Sequence, residues 1–111
     1  MSYIYLASPY SHPDPAIREQ RYQAVTKKAA EYLCAGKAVF APITHSHPMV
    51  PYMDEKLCMD FDFWMRADIP LLKGAKELHV LMLDGWQRSR GVTKEIEIAD
   101  ACRIPVFRVQ A

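Results

Sequence analysis

The length, composition and charge of the chain limit it to one small folded domain without a polyanionic partner. We expect residues 1–111 to form a single domain, because a second core would have almost nothing to bury. Hydrophobic residues make up 50% of the sequence and charged residues 24%, the balance of a folded globular protein, and a net charge of +1 predicts no binding to DNA, RNA or an anionic membrane.

The first half of the chain predicts a strand, a helix and a strand, followed by a long loop. The apolar run at its start is closed by Ser8 and Pro9, as in a buried strand that runs into a loop. Asp14 is suited to cap a helix, and Gly36 permits the left-handed conformation that ends one. A second apolar run stops at Pro42. We predict a strand at 3–7, a helix at 15–35, a strand at 38–41 and an irregular loop at 43–56.

The second half predicts two further helices and two further strands. Apolar residues recur at helical spacing in the segment 59–73, although Pro70 is expected to bend or shorten this helix. The apolar side consists of Met59, Phe63, Ala67 and Leu71. We predict a helix at 59–73, a strand at 78–83, a polar loop at 84–90, a helix at 91–102 and a strand at 105–109.

The order of these elements predicts the fold class. Continuous apolar strands that alternate with helices are typical of a parallel sheet covered on both faces. We expect an α/β fold of three layers, with an open parallel sheet of four to five strands, Rossmann-like or flavodoxin-like. Ligands of such sheets bind beyond the carboxyl ends of the strands, where the loops that start at Ser8, Ile43 and Asp84 should converge.

The cysteines and the start of the chain indicate a cytoplasmic protein. The three cysteines, at 34, 58 and 102, are widely spaced and form no C-x-x-C pair, which argues against a disulfide framework and a cysteine-rich zinc site. The first apolar run has no basic segment before it, and no apolar run reaches the length of a membrane span. We therefore expect neither a signal peptide nor membrane binding.

The segment D-G-W-Q-R-S-R-G-V-T-K-E, residues 84–95, is the most informative part of the sequence. Glu95 falls in the first turns of a helix, where the dipole and free amide groups are expected to keep its carboxylate ionised and able to attack an electron-poor carbon. The same amide groups, with Ser89 and Thr93, could instead cradle a phosphate, and Gly91 permits close approach. The alternative is that Glu95 only complements the helix dipole.

Several short motifs together resemble the nucleoside 2-deoxyribosyltransferase-like superfamily and, within it, a small bacterial and phage family. They are I-Y-L-A-S-P-Y at 4–10, A-P-I-T-H-S-H-P at 41–48, W-M-R-A-D at 64–68, L-D-G-W at 83–86 and S-R-G-V-T-K-E at 89–95. The resemblance implies cleavage or transfer of the N-glycosidic bond of a nucleoside or nucleoside monophosphate. It implies no cofactor.

The resemblance also assigns roles to three residues. Glu95 is expected to act as the nucleophile on the anomeric carbon, Tyr5 to orient it, and Asp68 to position or protonate the leaving base. Such chemistry passes through an oxocarbenium-like transition state and follows the logic of glycosidases. By residue type alone, Asp68 is more often an ordinary solvated helix residue than a catalytic one, and Tyr5 is usually an ordinary core aromatic.

Ser89 favours a phosphorylated substrate. In the superfamily that the chain resembles, the nucleotide N-hydrolase branch has a serine at the position of Ser89, and this serine holds a 5′-phosphate. Transferases of unphosphorylated nucleosides tend to have an acidic residue near that position. Arg88 and Arg90 stand beside Ser89 and suit an anion. Arg18 and Arg21 could add positive charge, but we expect them on a solvent-exposed helix face.

Further substrate contacts are expected from loops at the crevice. Tyr10 and Trp86 offer stacking surfaces for a base, and His45 offers a hydrogen bond. His45 and His47 also form an H-x-H pair, but no further metal ligand has a diagnostic spacing, and we expect no metal site. The complete set of expected substrate-binding residues is Ser8, Tyr10, His45, Asp84, Trp86, Ser89 and Gly91.

Two other functions remain open from the sequence. The same fold could serve as a non-catalytic nucleotide sensor, in which Glu95 contacts a ribose hydroxyl. A metal-dependent hydrolase built on His45 and His47 is the other. In every case we expect the protein to form a homo-oligomer, a dimer or a tetramer.

Overall fold

The computed structural model describes residues 2–111 and contains a four-stranded parallel sheet. The strands are β1 (Ile4–Ala7), β2 (Val39–Phe40), β3 (Glu77–Leu81) and β4 (Val106–Val109), in the order β2-β1-β3-β4. The chain leaves β1 on one side to form β2 and returns to β3 on the other. A switch point therefore lies between the carboxyl ends of β1 and β3, where open α/β sheets bind ligands.

Helices cover both faces of this sheet and confirm the three-layer α/β prediction. They are α1 (Pro15–Cys34), α2 (Pro42–Ser46), α3 (Glu55–Cys58), α4 (Phe61–Lys73) and α5 (Arg90–Ala101), with 3-10 helices at His47–Tyr52 and Trp86–Arg88. Tyr5 and Ala7 of β1 pack in the cluster that contains residues of α4 and α5, whereas Leu6 packs in the cluster of α1. This alternation places successive strand residues on opposite faces.

The ends of α1 follow the capping signals in the sequence. The Asp14 carboxylate accepts a hydrogen bond from the Ala16 amide at 2.9 Å, and Pro15 occupies the first position, where no amide is needed. Gly36 follows the helix with a φ of 82°. Among residues 2–111, no helix is both long enough and apolar enough to cross a membrane.

The loop predicted at 43–56 is wrong, because most of that segment is helical. It contains α2, the 3-10 helix at His47–Tyr52 and α3. Pro42 and Pro48 both lie within the first two positions of a helical segment, where proline costs nothing. The Asp54 carboxylate caps α3 by accepting from the Lys56 amide at 2.8 Å.

The predicted apolar face of the helix at 59–73 is also wrong. Met59 precedes α4 and is 82% exposed, and Leu71 is 38% exposed, whereas Leu72 is fully buried. The side of the helix that faces the core lies one residue further along than predicted. The apolar pattern did not indicate this side because one of its positions is a carboxylate, Asp68. Pro70 does not shorten the helix, since α4 continues to Lys73 and the Gly74 amide bonds to the Pro70 carbonyl at 3.3 Å.

Candidate active site

Tyr5 and Glu95 meet inside the protein beneath the switch point. Tyr5 points from β1 toward the face covered by α4 and α5, and its hydroxyl donates a hydrogen bond to Glu95 Oε2. Glu95 lies on the buried stripe of α5 with Val92 and Ala99, and only 5% of it is exposed. A carboxylic acid is thus held in a fixed orientation by a phenol that is itself part of the core.

Asp68 reaches the same place from α4. Its carboxylate is near enough to raise the pKa of both Tyr5 and Glu95 through electrostatic repulsion. Burial also raises the pKa of Asp68 itself, to about 6. The structure therefore brings together Tyr5, Asp68 and Glu95, the three residues predicted to be catalytic, from a strand and two helices. Their roles remain predictions.

The expectation that the helix dipole keeps Glu95 ionised is wrong. Glu95 is the sixth residue of α5, and the effect of the dipole on a charge falls off within the first turn. Burial instead raises the pKa of Glu95 to about 8, and the charge of Asp68 adds to this rise, while the hydrogen bond from Tyr5 opposes it. In the free protein Glu95 is therefore mostly protonated at neutral pH.

Ser8 lies directly beyond the carboxyl end of β1. It is only 6% exposed, and among residues 2–111 its Oγ is the one buried side-chain oxygen or nitrogen atom without a hydrogen-bond partner. Buried polar groups are normally paired. An unpaired hydroxyl at the switch point is a group that a ligand can satisfy.

The amino-terminal end of α5 is arranged to receive an anion. Ser89 caps the helix, and its Oγ accepts a hydrogen bond from the Val92 amide at 3.2 Å. The hydroxyl proton of Ser89 remains available to a ligand. The amides of Arg90 and Gly91, at the first two helical positions, have no partner within the helix. A side chain at Gly91 would come within 3.9 Å of Met65 Cε, so this turn packs closely on α4.

Arg21 ties together the two loops that flank the switch point. It donates from Nη1 to the Ser11 carbonyl at 3.0 Å and from Nη2 to the Asp84 carbonyl at 3.1 Å. Asp84 therefore takes part in this contact only through its backbone carbonyl, and its side chain is exposed. The expectation that Arg21 lies on a solvent-exposed helix face is wrong, because the residue is half-buried between the loops.

Positive charge collects around Gly85, which has a φ of 88°. A methyl group at Gly85 would lie 3.1 Å from Arg21 Nη2 and 4.0 Å from Arg88 Nη2. Within the part of the chain that the structure describes, neither arginine forms an ion pair with a carboxylate. Two guanidinium groups without an ion-pair partner, one from α1 and one from the loop after β3, thus lie beside Gly85, shortly before the amino-terminal end of α5.

Tyr10 is held by a histidine that the sequence did not single out as a substrate contact. Its hydroxyl and His47 Nδ1 are hydrogen-bonded at 2.6 Å, and His47 Nε2 donates to Glu19 at 3.0 Å. The His47 ring also stacks on Tyr22, with centroids 4.3 Å apart. The H-x-H pattern drew attention to both histidines, but it did not predict which of them contacts Tyr10. The two lie in helical segments, where residues two apart point in different directions.

His45 and Trp86, two of the predicted substrate contacts, both contact apolar side chains. His45 is exposed, and its nearest aromatic contact is Phe40, at 5.8 Å between centroids. Trp86 packs beside Val92 and Ile96 of α5, against the same core cluster as Tyr5. Among residues 2–111, no group of three His, Cys, Asp or Glu side chains is placed to hold a metal ion.

Comparison with known proteins agrees with the fold and places the chain in a family. A search of curated proteins found no match. The structure is similar to a 2-deoxyribosyltransferase from the psychrotolerant bacterium Bacillus psychrosaccharolyticus, with a TM-score of 0.69, 22% sequence identity and coverage of 98% of this chain and 72% of that one. This likeness confirms the resemblance to the 2-deoxyribosyltransferase-like superfamily at the level of the fold. Residues 2–111 match the family described as a domain of unknown function, DUF1937, and the chain belongs to that family.

Proposed function

We propose that the protein cleaves the N-glycosidic bond of a nucleoside 5′-monophosphate and transfers the sugar to water or to another base, with Glu95 as the nucleophile. The observation that carries this proposal is the buried hydrogen bond from Tyr5 to Glu95, with the carboxyl of Asp68 beside it. Three interacting groups with shifted pKa values at a switch point are typical of a catalytic centre. That the structurally similar protein is a 2-deoxyribosyltransferase supports the same reaction class.

The reaction would proceed in two steps. An oxygen of the ionised Glu95 forms a bond to the anomeric carbon while the bond from that carbon to the base nitrogen breaks. The electron pair of the broken bond goes to the base, which takes a proton from Asp68. Water, or the nitrogen of a second base, then attacks the anomeric carbon, gives a proton to the ionised Asp68 and releases Glu95 as a carboxylate.

Charge around the crevice supports a phosphorylated substrate. The amides of Arg90 and Gly91 and the hydroxyl of Ser89 lie at one end of α5, and the guanidinium groups of Arg21 and Arg88 flank the loop just before it. Helix amino termini and arginine forks are both favourable partners of phosphate. Because these guanidinium groups lack carboxylate partners in residues 2–111, a phosphate would supply the missing charge.

A panel of substrates tests this proposal. The protein is incubated with the common ribo- and 2′-deoxyribonucleoside 5′-monophosphates and with the matching nucleosides, and free base is measured by chromatography. We expect at least one monophosphate to release base, and its nucleoside to react at least about 10-fold more slowly, because the nucleoside lacks the charge-assisted hydrogen bonds of the phosphate. Absence of free base from every compound would overturn the proposal.

The pH dependence of the reaction follows from the two carboxyl groups. Attack needs an ionised Glu95 and departure of the base needs a protonated Asp68, so the pair must hold one proton. With pKa values of about 6 for Asp68 and about 8 for Glu95, we expect a bell-shaped profile of kcat/KM between those values. The measurement is initial rates of base release from pH 5 to pH 9.

The variant Asp68→Asn provides the control for this profile. With one titrating carboxyl removed, the remaining activity should rise with pH to a plateau and lose its alkaline limb. The acid limb that remains should have its midpoint nearer pH 8 if it comes from Glu95, whereas a limb that came from the substrate phosphate would keep its midpoint near pH 6. A profile of the wild type that is flat from pH 5 to pH 9 would contradict the assignment of both carboxyl groups.

A sensor without catalysis is the second candidate function. It is favoured by the pKa of Glu95 of about 8, because a neutral carboxylic acid at pH 7 is a hydrogen-bond donor to a ribose oxygen. A sensor would bind a nucleotide tightly, return it unchanged and keep this affinity in Glu95→Gln. Release of base by the wild type would exclude it.

A further inference from the structure

Ser8 is a buried hydroxyl that the folded chain leaves unsatisfied. It is 94% buried, and its Oγ has no hydrogen-bond partner among residues 2–111. Leaving a buried donor and acceptor unpaired costs free energy, so such groups in folded proteins call for a partner. The position of Ser8, one residue beyond β1 at the switch point, is where a ligand would provide one.

Local structure explains why the chain itself does not satisfy Ser8. The next residue, Pro9, is buried and has no amide hydrogen to donate. Serine hydroxyls in turns often bond to the amide two residues ahead, and Ser8 does not make this bond with Tyr10. Two polar side chains that contact the loop after β1 are already engaged, since Tyr10 bonds to His47 and Arg21 of α1 bonds to two carbonyl groups.

We propose that the Ser8 hydroxyl hydrogen-bonds a hydroxyl group on the sugar of the substrate, and so makes the protein selective for the sugar that carries it. This inference rests on the proposed function. Ser8 follows Tyr5 by three residues, or about 10 Å along an extended chain, so one nucleotide that reaches Glu95 also reaches the end of β1.

A neutral hydroxyl fits this position better than the phosphate does. An anion at a residue that is 6% exposed would need a charged partner to offset its loss of hydration. The guanidinium groups of Arg21 and Arg88 instead flank Gly85, in the loop before α5, and the free amides belong to α5. The phosphate therefore has its own partners, and Ser8 is left to the sugar.

The experiment measures nucleotide affinity without turnover. Isothermal titration is carried out on Glu95→Gln and on the double variant with Ser8→Ala, each with a ribonucleoside 5′-monophosphate and with its 2′-deoxy and 3′-deoxy forms. We expect Ser8→Ala to weaken binding of the ribonucleotide by about 5- to 50-fold. For one of the deoxy forms, the substitution should change the affinity by less than about 2-fold, which identifies the sugar hydroxyl.

Ser11→Ala is the matched control, because Ser11 lies in the same loop but its side chain is exposed. This control should leave all three affinities unchanged, and the melting temperature of Ser8→Ala should not fall, since the lost hydroxyl has no partner in the free protein. Equal losses for all three nucleotides, no loss for any, or no nucleotide binding at all would overturn the inference. If nucleotides bind but the wild type releases no base, the proposed function fails, and the affinities still decide the role of Ser8.

Discussion

Substitution of Glu95 by glutamine is expected to lower kcat/KM for base release by on the order of 10³- to 10⁵-fold, because an amide cannot attack the anomeric carbon. Glutamine has the same shape and keeps an oxygen that accepts the hydrogen bond from Tyr5. The loss would therefore report the missing nucleophile and not a collapse of the site. The measurement is the initial rate of base release from the best nucleotide at pH 7, with the fold checked by circular dichroism.

Glu97→Gln is the matched control for this prediction. Glu97 lies two residues further along α5, is exposed, and forms an ion pair with Lys94 at 3.9 Å. It should leave kcat/KM within about 2-fold of the wild type, because exposed ion pairs of this kind contribute little. If Glu95→Gln kept more than a tenth of the wild-type rate, Glu95 would not be the nucleophile.

The parts of the fold that the sequence predicted are those in which one physical pattern dominates. The central strand β1 is a continuous apolar run, and β3 is apolar except at Glu77 and His79, because helices cover both faces of the sheet. Helix α1 has a capping residue at one end and a glycine after the other. The segment after β2 lacks such a pattern. Its helices are no longer than six residues, too short to show a periodicity, and their prolines are typical of loops as well as of first turns.

The candidate site shows a similar division. Tyr5 and Glu95 are separated by 90 residues in the chain, and no local pattern indicates that they touch. Only the resemblance to a known superfamily linked them before the structure did. Burial is the property that the sequence conveyed least well. The sequence led us to expect an ionised Glu95, but burial raises its pKa to about 8. Asp68, which could also have been solvated, is partly buried, and burial raises its pKa to about 6.

The same Glu95→Gln substitution is expected to stabilise the folded protein in alkaline solution. The pKa of Glu95 is raised from 4.5 to about 8 on folding, so the folded state keeps a proton that the unfolded chain has released. The free energy of unfolding of the wild type should therefore fall as the pH rises from about 5 to about 8. Glutamine does not titrate and imitates the neutral acid, so this decrease is absent in the variant.

The measured quantity is the difference in free energy of unfolding between Glu95→Gln and the wild type, obtained from urea titrations at pH 5 and pH 9. We expect this difference to grow by on the order of 4 kcal/mol in favour of the variant. Asp68 has a raised pKa in both proteins, so its own titration largely cancels, and Glu97→Gln should follow the wild type at both pH values. A difference that stays constant between the two pH values would show that folding does not raise the pKa of Glu95. A growing difference would mean that the protein retains a carboxyl group that destabilises it at alkaline pH, as expected where a buried acid serves a reaction and not the fold.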